Sequence, residues 1–206
     1  MRGMFKLSLV MGLALGLASA VQAQRQGFFP GPGGMLMNPG VQKELKLTDD
    51  QVGKLKDSLG KVRDSHKDDF AKIREMSDED RQKLMQKVGD ESQKAIAGVL
   101  DAKQMKRFKQ IQWQLGGARA LGDPEVQKAL KLSDDQKKKL KTIFADSQKK
   151  MQALFQGGNV EGAREKFQDI RKQTQEKATG VLTDDQKKSW KELKGQPFEF
   201  QRPGRG

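Results

Sequence analysis

The sequence predicts an all-α protein of tandem helical-hairpin units with long amphipathic helices. Three observations predict it. Apolar residues recur at steps of three and four along most of the chain, the period of one helix face, and alternating β-branched runs are missing. A long segment is duplicated: residues 39–56 and 124–141, 85 positions apart, are identical at 13 of 18 positions. The chain is also too polar for one thick core, with 34% of its residues hydrophobic and 33% charged. That balance suits helices that each bury a single stripe.

The first 23 residues read as a secretory signal peptide. Arg2 and Lys6 precede an apolar run over 7–18, and Val21-Gln22-Ala23 supplies the small-residue cleavage pattern. Twelve apolar residues are too few to span a bilayer as a helix. Cleavage is expected after Ala23, with Ala20 as second choice, and the absence of cysteine excludes a lipid anchor at the cut. The protein is therefore expected to be periplasmic or otherwise exported. Removing Arg2 and Lys6 from 40 basic residues leaves 38 against 27 acidic ones, a net charge of +11 over the remaining 183 residues. With no cysteine, disulfides, thiol chemistry and zinc–thiolate sites are excluded. Basic charge commonly indicates nucleic acid, but an exported protein points instead to anionic envelope surfaces or acidic, unfolded polypeptides.

The rest of the chain divides into four parts. Residues 24–37 form a Gly/Pro-rich arm carrying Phe28, Phe29, Met35, Leu36 and Met37, expected to be flexible and without regular structure. Residues 38–118 make the first helical unit and 119–194 the second, followed by a flexible tail over 195–206 with Phe198 and Phe200. In the first unit, Val52, Leu55, Leu59, Val62, His66, Phe70, Ile73 and Met76 form one helical stripe. Ser77 is the expected N-cap of the next helix, whose stripe runs through Leu84, Val88, Ala95, Val99 and Leu100. In the second unit the stripe through Leu140, Ile143, Phe144, Ser147, Met151 and Leu154 reaches a Gly-Gly-Asn hairpin turn at 157–159. It resumes through Val160, Ala163, Phe167, Ile170, Val181 and Leu182.

Each unit carries the same short motif twice. Leu47-Thr48-Asp49-Asp50-Gln51 and Leu182-Thr183-Asp184-Asp185-Gln186 are complete copies; Leu132-Ser133-Asp134-Asp135-Gln136 has serine for threonine. Leu100-Asp101-Ala102-Lys103-Gln104 has aspartate there. The hydroxyl or carboxylate accepts from the N–H of the glutamine three residues on, and that glutamine reaches back to the cap's own N–H, a capping box. Acidic residues in the first turn oppose the positive helix end. Asn38-Pro39 and Asp123-Pro124 add cap-plus-proline starts for short helices ending near the motif. Capping explains each copy alone, but not the early-and-late pairing, with the motif leucines 53 residues apart in the first unit and 50 in the second.

That pairing, between about Val41 and Leu193, resembles the LTXXQ-motif family of Spy/CpxP-like periplasmic proteins. The resemblance implies a thin, curved, all-helical body and ATP-independent chaperone work or envelope-stress sensing, with basic and apolar helix faces holding unfolded or acidic clients. It would place Lys137, Lys138, Lys139 and Lys141 among the client-binding residues, although such a lysine run also suits a merely solvated helix face. The chain departs from the family in carrying four motifs rather than two. Its tandem units are accordingly expected to pack as an intramolecular pseudo-dimer, with a homodimer as the alternative. A second reading is a structural module coating anionic envelope polymers or membrane surface, without chaperone activity; a third is a metal-responsive sensor.

No enzyme is expected, because no nucleophile–base pair, glycine-rich phosphate loop or histidine cluster occurs. No cofactor or metal is expected either. His66, the one histidine, lies on an apolar stripe and reads as an interface residue, since structural metal sites need three or four converging ligands. Trp113 and Trp190 read as packing anchors.

Overall fold

A computed structural model describes residues 32–156 and 162–199. The expected signal peptide, residues 24–31 of the arm, the 157–159 turn and residues 200–206 lie outside the described residues. Within them the protein is all-α, without a strand. The first unit comprises α1 (Pro32–Leu36), α2 (Pro39–Glu44), α3 (Asp49–Ser65), α4 (Lys67–Ala71), α5 (Asp78–Ala97) and α6 (Ala102–Gly116). A 3₁₀ segment, Gly117–Gly122, opens the second unit, followed by α7 (Pro124–Ala129), α8 (Asp134–Gln156), α9 (Ala163–Gly180) and α10 (Asp184–Leu193). Each unit thus has two short opening elements, a hairpin of long helices (α3 on α5, α8 on α9) and a closing helix.

The short helices repeat in detail. Asn38 accepts from the N–H of Gly40 (2.9 Å) and Val41 (3.3 Å), and Asp123 from Glu125 (2.7 Å) and Val126 (3.4 Å), with Pro39 and Pro124 opening the helices. Both helices end in a Schellman motif. Lys46 (φ 51°) and Lys131 (φ 50°) take the left-handed position usually given to glycine. The next residues, Leu47 and Leu132, donate back to Gln42 O (2.9 Å) and Gln127 O (3.0 Å). These reversals aim the chain from each short helix into the long helix that follows. Ser77 caps α5 as expected, accepting from Asp80 N at 3.1 Å.

Two cores result. The first gathers Leu36, Val41, Leu55, Leu59, Ile96 and Phe108, among others; the second includes Trp113, Leu121, Val126, Leu140, Leu182 and Trp190. Phe108 and Ile111 of α6 lie in the first core and Trp113 in the second, so one helix serves both. Both tryptophans are buried, as expected of packing anchors.

Three expectations need correction. The expected flexible arm over 24–37 fails for 32–37: α1 is helical, Leu36 is fully buried, and Met35 and Met37 pack against the first core. Its glycines permit this, because a Cβ on Gly33 would approach Leu59 Cδ1 to 3.1 Å; a bare backbone lets α1 lie close on α3. The expected flexible tail over 195–206 fails for 195–199, where Phe198 packs on the first core and donates its N–H to Gln114 Oε1 at 2.7 Å. The cores also do not divide at the 118/119 unit boundary, since Trp113 and Ala118, on its first-unit side, pack in the second core.

The two units pack within one chain. Gln114 donates to Lys194 O and Gln196 O, both at 2.7 Å, Arg107 donates to Gln196 O at 2.8 Å, and Lys109 pairs with Glu125 at 2.6 Å. No helix among the described residues is long and apolar enough to cross a membrane.

Candidate functional site

The four motif copies all form capping boxes. Thr48, Asp101, Ser133 and Thr183 each accept from the glutamine N–H three residues on, at 2.9–3.2 Å. Each donates its own N–H to that glutamine's Oε1 at 3.0–3.2 Å. The glutamines do something further that capping does not require. Gln51 Nε2 donates to Gln104 Oε1 (2.7 Å), and Gln104 Nε2 returns a bond to Gln51 Oε1 (3.0 Å). The second hydrogens of these amides reach Val99 O (3.1 Å) and Leu45 O (3.3 Å). Gln136 and Gln186 repeat this at 2.6 and 3.1 Å, with Val181 O (2.9 Å) and Leu130 O (3.2 Å) as backbone partners. Every donor and acceptor site of each amide is thereby used. The early-and-late pairing is a two-way clasp that joins the start of each hairpin to its closing helix. Leu47, Leu100, Leu132 and Leu182 sit beside the clasps, the last three buried and Leu47 packed against the first core. The motif residues are thus architectural.

Of the lysines expected to bind clients, Lys137, Lys138 and Lys141 share one side of α8 and Lys139 lies on the other. Lys137, Lys138, Lys139 and Lys141 lie near the start of α8, and successive helix positions turn by about 100°, so Lys139 lies nearly opposite Lys137. Lys137 also pairs with Asp134 at 3.0 Å. None of them lines the cavities described below.

His66 stands between α3 and α4 with 3% of its surface exposed. Its Nε2 lies 2.8 Å from Glu91 Oε2 on α5, and its Nδ1 lies 3.2 Å from Asp69 Oδ2 on α4. The Glu91 hydrogen bond, and then that of Asp69, raise its pKa above the ordinary histidine value; burial and Lys87 oppose the shift. With a carboxylate at each nitrogen, the charged ring is the favoured form. His66 is a buried interface residue, and no group of three or more potential ligands occurs among the described residues.

Basic and apolar side chains do coincide where the two hairpins face each other. One cavity of about 770 Å³ is lined by Arg81 and Met85 of α5, Arg119 of the 3₁₀ segment, and Gln148 and Met151 of α8. A second, of about 370 Å³, adjoins it through Arg119 and Met151 and adds Leu115, Phe167 and Arg171. Met85 and Leu115 are the large apolar side chains left exposed among the described residues, at 41% and 38%. Arg81 is occupied, donating to Ile73 O and Met76 O and pairing with Asp78. Arg119 and Arg171 have no carboxylate partner among the described residues, and Arg171 lies 5.8 Å over the Phe167 ring. A guanidinium without a partner beside thioether and aromatic carbons can take a carboxylate through two parallel hydrogen bonds while apolar groups pack alongside. Sequence reasoning missed these residues because they come from distant segments; their signal is arginine amid a lysine-rich surface.

A larger groove, of about 1050 Å³, runs between α6 and α10. Its arginine, Arg107, is held by Glu44 at 2.6 Å, and its walls are mainly lysine, glutamine and glutamate side chains. Its apolar surface comes from Pro197 and from the carbon stems of those polar side chains, with no methionine, leucine or phenylalanine in its lining. The candidate site is the inter-hairpin cleft. No protein-family model, curated protein or solved structure matches the chain.

Proposed function

We propose that this chain is an exported, ATP-independent chaperone-like protein of the LTXXQ type, acting in the periplasm and holding unfolded polypeptides in the inter-hairpin cleft. The observation that carries the reading is the coincidence of Arg119 and Arg171, without carboxylate partners among the described residues, with exposed Met85 and Leu115. An unfolded acidic segment offers the complementary chemistry: carboxylates for the guanidinium groups and apolar side chains for the methionines. The shallow, open cleft suits loose holding, and the net charge of +11 left after removal of the leader would draw acidic clients from a distance.

The test is light scattering of a reduced, aggregating client at near-stoichiometric ratio and low salt, without nucleotide. The protein is expected to suppress aggregation, and Arg119→Glu/Arg171→Glu to lose most of the effect while keeping its helical circular dichroism. Unchanged suppression by that variant would remove the cleft from the reading. Absence of suppression by the unmodified protein, together with salt-sensitive binding to an acidic polysaccharide, would favour an envelope-coating module.

A further inference from the structure

We propose that Met85 and Met151 are oxidation sites that switch the cleft, their conversion to sulfoxides by a hydroperoxide releasing the client. This rests on the client-binding reading above. The chain has no cysteine to intercept an oxidant, so the thioethers are its sulfur targets. Of the six methionines among the described residues, Met35, Met37 and Met105 pack against the first core and Met76 is half-buried before α5. Met85 is 41% exposed, and it shares the wall of the larger cleft cavity with Met151. Met85 is thus the exposed methionine among the described residues, and Met151, half-buried like the others, differs from them in lining the same open cavity as Met85.

In the reaction, a lone pair of the thioether sulfur attacks the terminal oxygen of the hydroperoxide. The S–O bond forms as the O–O bond breaks, and the departing oxygen takes a proton and leaves as water or an alcohol. Sulfur loses two electrons and the peroxide gains them. The product is a polar sulfoxide in place of a flexible apolar side chain. Two such groups in the cleft lining favour water over the client's apolar residues, and reduction by a methionine sulfoxide reductase returns the original surface.

The experiment uses hydrogen peroxide on the full chain without its leader, with peptide mass mapping and the aggregation assay run on the same samples. Met85 and Met151 are expected to gain oxygen before Met35, Met37 and Met105. The protein needed for equal suppression is expected to rise roughly fivefold (about 1 kcal/mol) and to fall again after reductase treatment. In Met85→Leu/Met151→Leu, whatever its starting activity, suppression before and after peroxide is expected to match. Earlier oxidation of the core methionines, or full suppression with both cleft sulfoxides formed, overturns this proposal alone. A peroxide effect that persists in the leucine variant also overturns it alone. An untreated protein that suppresses nothing overturns the client reading and this proposal with it.

Discussion

Replacing Gln186 with alanine separates a clasp from a simple cap. The change removes four hydrogen bonds: acceptance from Thr183 N (3.0 Å) and Gln136 Nε2 (2.6 Å), and donation to Gln136 Oε1 (3.1 Å) and Leu130 O (3.2 Å). At roughly 0.5–1.5 kcal/mol net for each bond, the full range is about 2–6 kcal/mol. The site is half-buried, so water re-pairs part of what is left, and a cost of about 2–3 kcal/mol is expected. Gln136→Ala should cost about the same, because the arrangement is reciprocal. A capping role alone would cost each variant about 1 kcal/mol or less. The decisive quantity is the double variant. The two bonds between the glutamines are lost in either single variant and cannot be lost twice, so Gln136→Ala/Gln186→Ala should cost about 1–2 kcal/mol less than the sum. Urea unfolding followed by circular dichroism at equal m-values measures all four corners. Additivity within about 0.5 kcal/mol would mean that the glutamines act separately, and would refute the clasp as an energetic unit.

Two further outcomes follow from the backbone and from His66. Lys131→Gly should stabilise the chain by about 0.5–1 kcal/mol despite glycine's entropy, because Lys131 sits at φ 50° where a Cβ is strained; an unchanged or lower melting temperature would count against strain there. For His66 the folded pKa is raised by Glu91 and then Asp69, so the folded state binds the proton more tightly than the unfolded one. The stabilisation is thus fully present below the ordinary histidine pKa of about 6.5 and lost as pH rises through the higher folded value. Unfolding midpoints at about pH 5.5 and about pH 8.5 should differ more for the native chain than for His66→Gln, and equal differences would exclude the ion pair as a source of stability.

How far the sequence carried depends on the range of the interaction concerned. Capping boxes, proline starts and hairpin stripes are set within a few residues, and the structure reproduces them from Asn38 to Gln186. The first short helix was obscured by its Gly/Pro content. Its signal lay in the repeat: carried back from Pro39, the 85-residue offset pairs Leu36 with Leu121 and Gly33 with Ala118, all buried. The Gln51–Gln104 bonds join side chains 53 positions apart, which no local pattern specifies. Of the lysine quartet, Lys137, Lys138 and Lys141 share one side of α8 and Lys139 lies opposite Lys137, and local spacing does not show which apolar side chains stand beside them. The cleft was illegible because its lining is assembled from α5, α6, the 3₁₀ segment, α8 and α9, segments that no local spacing relates to one another.

The divergence of the repeats explains why the cleft is asymmetric. At the 85-residue offset His66 corresponds to Met151, and at the 82-residue offset of the later landmarks Glu91 corresponds to Gln173. The first hairpin therefore closes this position with a buried imidazole between two carboxylates, whereas the second places a thioether in the cleft wall. One turn earlier on α8, Ser147 accepts a buried hydrogen bond from Thr174 at 2.9 Å, which ties α8 to α9. Met85 belongs to the first unit, Arg119 to the junction and Met151 to the second unit. Neither repeat alone can form the cleft, so any binding there depends on how the units are held together. Gln114, bonded to the backbone of the closing segment at 194 and 196, and Trp113, placed by the same helix in the second core, supply that hold. The duplication thus yields two stable hairpins through identical clasps, while the residues that differ between the copies make the surface between them unlike either one.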